Sequence, residues 1–310
     1  MATGYYHKSK RKKRHGLRNF LLVLLILAAL LAGAIYLYGR AMGIRSDWKE
    51  AAQAFFHTAG RQVSNLLPGK EEDPVTLNAY RETDFYEENG FLRCSASPVS
   101  RVGIDVSSHQ GSIDWQAVAN AGVEFAIIRV GYRGYGTGTL EEDPMYYANM
   151  EGALAAGLDV GVYFYSQAVS TQEAREEAQF VLDRLGGYSI TYPVLFDWEQ
   201  GADAGRTDDV DNETLTRCAI AFCDNIETFG YRAGCYFNQS FGYDRFDLRQ
   251  LDDYCFWLAE YNSYQSFLYD VALWQYSDSG NVPGIDTVVD LNLCFVDFHE
   301  PETEEVSAES

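Results

Sequence analysis

At 310 residues, 47% hydrophobic and 15% aromatic, the chain has the make-up of a folded protein with an ample core and not of a disordered tract. Its formal net charge of -21 is unevenly spread: eight Lys/Arg and no acid fall in residues 1–40, leaving 24 − 8 = 16 bases against 45 acids beyond them. An acid excess of that size repels phosphate backbones and argues against nucleic acid as a partner.

In chain order, residues 1–19 are a basic segment (Lys8, Lys10, Arg11, Lys12, Lys13, Arg14, Arg18) followed by an uncharged run from Phe20 to Tyr38. Nineteen apolar residues rise about 28 Å as a helix, close to the hydrocarbon thickness of a bilayer. The basic flank stays cytoplasmic, so residues 20–38 are predicted to be a transmembrane signal-anchor helix with the rest of the chain outside. A cleaved signal peptide is the rival reading, with small residues at Ala32-Gly33-Ala34, but the run is longer than such apolar cores and passes that site.

Residues 39–98 read as an extracytoplasmic stalk. Trp48, Ala52, Phe55, Ala59, Val63 and Leu66 make one helical stripe, Leu67-Pro68-Gly69 ends it, and Lys70–Asp84 is a polar linker. Six cysteines (Cys94, Cys218, Cys223, Cys235, Cys255, Cys294) are irregularly spaced without a C-x-x-C, which favours buried thiols and leaves pairing open. No metal site or cofactor is suggested.

From residue 99 to 299 strand-like runs alternate with helical stretches. The strands are Val102–Val106, Phe125–Val130, Val160–Tyr165, Val194–Trp198, Gly234–Phe237, Cys255–Ala259, Val271–Trp274 and Leu291–Phe295. Helices fall at Asp114–Ala121, Pro144–Ala156, Thr171–Leu185 and Glu213–Phe229. Buried strands separated by helices predict an α/β fold with a parallel sheet, and eight of them predict a closed barrel. Gaps after the fifth strand leave little room for helices, so the later half is expected to be incomplete. An acidic tail, 300–310, ends the chain.

Barrel enzymes place their chemistry at the C-terminal ends of the strands. Asp105, Asp197 and Glu199 fall there, Asp290 lies just before the last strand, and Gln275 and Tyr276 follow Trp274. Asp197 and Glu199, two apart on a strand, face one way at roughly 6.6 Å separation. Like charges that close raise the pKa of one carboxyl and suit it to proton donation. A solvated strand end or a divalent-cation site would use the same acids. Tyr132, Tyr163, Tyr165, Trp198, Tyr261, Trp274 and Tyr276 also sit at or just past strand ends, and as a set around acids they favour a polysaccharide groove.

The segment Gly103-Ile104-Asp105-Val106-Ser107-Ser108-His109-Gln110-Gly111, with Ile113-Asp114-Trp115, resembles the opening of glycoside hydrolase family 25, the Chalaropsis-type lysozymes. The likeness continues through Phe125–Arg129, Ala156–Tyr163, Pro193–Glu199, Trp274-Gln275-Tyr276-Ser277 and Val289–Asn292, in the family's order. It implies an irregular TIM-like barrel of five β/α units and three further strands. It also implies N-acetylmuramidase activity, cutting the β-1,4 bond between N-acetylmuramic acid and N-acetylglucosamine in peptidoglycan. Carried over by motif, Glu199 is the general acid, and Asp197 stabilises the oxocarbenium-like centre or orients the N-acetyl group. Asp105 and Asp290 complete the pocket, and Tyr132, Tyr163, Tyr165, Tyr261, Trp274, Gln275 and Tyr276 are expected to touch substrate. The chain has Tyr163-Phe164-Tyr165 where many members have Tyr-His-Phe, which puts one substrate contact in doubt. His109, beside Asp105, is expected to be structural.

Retaining, inverting and substrate-assisted routes all stay open, since rotamers move the Asp197–Glu199 spacing by more than the difference between geometries. A non-catalytic wall-binding scaffold is the alternative function; retention of all four acids speaks against it. A cation-dependent hydrolase is disfavoured by five histidines without clustered ligand spacing.

Overall fold

The protein was analysed as a computed structural model, which describes residues 75–200 and 205–300. The predicted basic tail, the anchor at 20–38, the stalk helix and the acidic tail after Glu300 lie outside the described residues. Among the described residues no helix is long and apolar enough to cross a membrane.

The first described elements are two short strands, Phe85–Glu88 (β1) and Phe91–Cys94 (β2), paired antiparallel across Asn89-Gly90. Both turn residues have positive φ, 53° and 84°, the backbone that a two-residue hairpin turn requires. This corrects the expected extent of the linker and stalk: residues from 75 on pack against the barrel. Val75, Phe91 and Cys94 are buried in the main core. Phe85 meets Trp274 edge-on at 5.2 Å, and Tyr80 stacks on Phe295 at 4.8 Å. These five side chains, spaced along a nominally polar stretch, cover an outer patch that would otherwise face water.

Five β/α units follow. They are Arg101–Val106 (β3) with Trp115–Asn120 (α1), Phe125–Arg133 (β4) with Tyr146–Ala155 (α2), and Asp159–Ser166 (β6) with Thr171–Leu185 (α3). Val194–Trp198 (β7) with Asn212–Thr228 (α4) and Ala233–Asn238 (β8) with Gln239–Asp244 (α5) complete the set. Leu140–Glu142 (β5) pairs only with the outer end of β4. Three strands without helices, Cys255–Ala259 (β9), Leu273–Gly280 (β10) and Val289–Cys294 (β11), finish the barrel. The order β3-β11-β10-β9-β8-β7-β6-β4 closes through a β3–β4 pairing. β11 runs antiparallel to both its neighbours, while the other barrel pairings are parallel.

Helix ends are set locally: the carboxylates of Asp114 and Asp211 and the Ser170 hydroxyl accept from the N3 amides of α1, α4 and α3. α3 buries Ala174, Glu177, Ala178, Val181, Leu182 and Leu185, a spacing of three and four that lays one stripe on the sheet.

Alternation along the strands divides the interior in two. One set of residues (Ile104, Ala126, Val162, Phe196, Phe237) packs outward under the helices. The other (Phe125, Ile127, Tyr163, Tyr192, Leu195, Trp257, Leu273, Phe298) fills the barrel. Phe125 stacks on Tyr192 at 4.4 Å and lies over Gly103, where a Cβ would meet its ring at 2.3 Å. The apolar plug closes the bottom of the barrel. Chemistry is therefore confined to the top.

Candidate active site

Above that plug, inward positions turn polar. In register, Asp105 on β3 faces Asp290 on the antiparallel β11, so the two carboxyls hydrogen-bond across the barrel seam. Asp105 Oδ2 also accepts from Gln275 Nε2 at 2.9 Å and Asn292 Nδ2 at 2.8 Å. The polarity of this network is fixed by donors that cannot accept: Trp257 Nε1 donates to Asn292 Oδ1 at 2.8 Å, turning the Asn292 amide toward Asp105. Gln275 Oε1 in turn accepts from the hydroxyls of Tyr236 (3.1 Å) and Tyr261 (3.2 Å). Burial lifts Asp105 above the ordinary carboxylate range while these donors pull it back. Asp290, half-buried beside Asp105, is pushed up to about 8, first by burial and then by its neighbour's charge. The seam pair thus keeps its proton on Asp290 and its charge on Asp105.

Across the mouth, Asp197 is buried on β7, and Glu199 follows two residues on with its side reaching solvent. The two carboxyls hydrogen-bond. Both are raised, first by burial: the charges of Glu199 and Asp105 then lift Asp197 well above its usual range, while at Glu199 the hydrogen bond to Asp197 pulls down and the charge of Asp290 adds to the rise. Arg129, also on the inward side of β4, works the other way on Asp197. This pair therefore holds one proton between its two carboxyls. Asp197 Oδ1 is buried without a hydrogen-bond partner, an acceptor left open at the floor of the mouth.

The aromatic expectations divide by strand face. Tyr163 is buried in the floor, edge-on to Trp257 at 5.9 Å. Tyr165, in register with Asp197, forms a half-buried wall near both acids. Tyr132 lies in register with Tyr165 at the rim, donates to Glu141 at 2.8 Å and has the Arg129 guanidinium 5.6 Å from its ring. Tyr261 is 56% exposed at the lip. Gln275 is central. Trp274 and Tyr276 are corrections: flanking the inward Gln275, they point outward, where Trp274 donates to the Glu260 carbonyl and the Tyr276 hydroxyl accepts from Leu92 N. Trp198 likewise points outward and donates to Ala168 O at 2.9 Å. His109 is exposed in the turn after β3 and makes no contact with the acids.

Four residues of the site were not singled out from sequence. Arg129 is held by Asp143, which accepts from its Nε at 2.8 Å while also accepting from Ser108 N. Tyr236, Trp257 and Asn292 complete the hydrogen-bonded chain to Asp105. Asn292 lies two residues from Asp290 on the same strand face, and for it that two-residue period was the available signal.

A closed β/α barrel whose mouth gathers two hydrogen-bonded carboxyl pairs belongs structurally with the barrel enzymes that work at their strand ends. The match of residues 104–285 to the glycosyl hydrolases family 25 makes the assignment specific, and the chain belongs to that family. It is 30% identical over 198 residues to an autolytic lysozyme of Clostridium acetobutylicum, covering 61% of this chain and 54% of that protein. With Lysozyme M1 of Streptomyces globisporus it shares 34% identity over 100 residues, 31% of this chain and 32% of the relative. The chain thus matches about half or less of the length of these curated relatives. Among solved structures, the autolysin LytC of Streptococcus pneumoniae superposes with a TM-score of 0.56 at 24% identity, covering 67% of this chain and 51% of that one. A family 25 glycosyl hydrolase from Bacillus anthracis gives 0.54 at 21% identity, covering 63% and 89%. At these identities the likeness to the solved structures is one of fold.

Proposed function

We propose that the protein is a peptidoglycan muramidase that cuts the β-1,4 bond from N-acetylmuramic acid to N-acetylglucosamine. The observation that carries this reading is the Asp197–Glu199 pair: two raised carboxyls, one buried and one open to the mouth, sharing a proton above an apolar plug. Glu199 is the member that reaches a sugar at the lip. As the C1–O bond breaks, its electron pair passes to the glycosidic oxygen, which takes the proton from Glu199. Water then supplies the hydroxyl at C1 and returns a proton to the pair. Asp197, on the floor, faces the developing positive charge, and its open Oδ1 is an acceptor suited to an N-acetyl amide N–H. Tyr165, Tyr132 and the exposed Tyr261 supply ring faces and hydroxyls for sugars.

The same reading places the enzyme at the outer face of the cytoplasmic membrane, held by residues 20–38 with a cytoplasmic N-terminus, for remodelling of nearby wall. Fractionation that recovers the full-length chain chiefly from culture medium would remove the tether. Activity is tested by digesting purified peptidoglycan and weighing the fragments, since the new reducing end names the bond cut. Glu199→Gln, which keeps shape and removes the proton, should slow release by about 100-fold or more. Binding of peptidoglycan with no new reducing ends would favour the wall-binding scaffold instead.

A further inference from the structure

β7 ends at Trp198, so Glu199 stands one residue beyond the sheet. Its main chain is gripped from the side: Gln167, fully buried, donates its amide Nε2 to the Glu199 carbonyl at 2.7 Å. Gln167 lies in the connection between β6 and α3, and that connection is tied down along its length. The Gln167 carbonyl accepts from Arg206 Nη1. Arg206 reaches both oxygens of Glu173, at 2.6 and 3.0 Å, and Glu173 Oε2 also accepts from Val169 N at 2.9 Å. The next residue along the strap, Ala168, receives the Trp198 indole N–H on its carbonyl and donates its own amide to Ser166 Oγ at 3.1 Å. Ser166 in turn donates to buried Glu177, which is paired with Arg133 at 2.6 Å. Residues 166–169 therefore form a rigid strap beside the acid, with Gln167 as its one side-chain hydrogen bond to Glu199.

We infer that Gln167 is a positioning residue that sets where the Glu199 carboxyl stands in the mouth, acting through the Glu199 main chain and touching no substrate. The inference rests on Glu199 being the proton donor. A side chain at a strand end otherwise swings with its own backbone, and a shift of about 1 Å at a reacting group can cost about 100-fold in rate. A donor buried against the carbonyl removes that swing.

The test exploits leaving groups. Bond cleavage to a sugar hydroxyl needs a placed acid, whereas a dinitrophenolate leaves without a proton. Gln167→Met keeps the side-chain length and removes the donor. It should lower kcat on peptidoglycan by about 10- to 100-fold with KM changed less than about twofold, yet lower turnover of a dinitrophenyl muramoside by less than about threefold. Glu199→Gln should show the same dependence on leaving group. Arg206→Gln, which frees the far end of the strap from a partly exposed position, should show a smaller loss of the same kind and carries the comparison if Gln167→Met does not fold. Equal losses on both substrates, or no loss on peptidoglycan, would overturn the inference about Gln167. Equal losses for Glu199→Gln would instead remove Glu199 as the acid.

Discussion

Asp105 shows how a buried charge is kept. Two amide donors converge on one oxygen, and Trp257 fixes the orientation of one of them. Asn292→Leu removes a donor from Asp105 and orphans the Trp257 N–H, a change that should cost about 1–3 kcal/mol in urea unfolding. Unchanged stability would mean that the network is not closed as described. Asp290, raised to about 8 in the fold against roughly 4 in an unfolded chain, binds its proton more tightly when folded. Its contribution is therefore complete below about pH 4 and is lost as pH rises through about 8. Asp290→Asn carries no titrating proton, so its unfolding free energy should fall less between those limits than the parent's; parallel curves would refute the assignment. At this scale the acids were legible because their strand-end placement and motifs coincide. Trp274 and Tyr276 were misplaced because strand ends were read without alternation: once Gln275 faces inward, its neighbours cannot. Asn292 was hidden beside Asp290 in its motif, and Arg129 closed a run of apolar residues that read as plain strand.

The elements depend on a few close approaches. Gly103 leaves room for the Phe125 ring, so Gly103→Ala should destabilise by about 1–3 kcal/mol, and Phe125→Leu in the same chain should recover part of the loss. Additive losses in the double variant would place the strain elsewhere. Buried Glu177 is pushed up to about 7, chiefly by burial and against the pull of Ser166 and Arg133. Glu177→Leu leaves the Arg133 guanidinium, itself nearly buried, without its main partner, and should cost about 3–5 kcal/mol by urea unfolding. Strands and helices of the barrel were readable to within about three residues where each is a continuous apolar run or a clean stripe, but β10 runs on to Gly280, six residues past its expected end, through polar positions. The hairpin β1–β2 fell inside the stretch read as stalk, although Asn89-Gly90 between its strands is a strong turn signal. Short helix α5 gave no periodicity to find.

At the scale of the molecule, β/α units account for the first five strands, and closure then depends on three bare strands, the last reversed. The expected irregular barrel agrees with this: the connections after β9 carry no helix. What composition could not supply was the packing of residues 75–98 onto the barrel. Hydrophobic burial of Val75 and Phe91 against distant strands is a tertiary fact with no local period.

The reversed strand also sets a clock. Asp105 lies on the first barrel strand and meets Asp290 only when β11, the final strand, slots between β3 and β10. A contact so distant along the chain forms late, after the loop entropy of nearly the whole barrel has been overcome. During synthesis a partly emerged chain already carries Asp197 and Glu199 but lacks the seam pair and the Asn292 amide. The mouth therefore has its full set of acids and amides only once the last strand is in place.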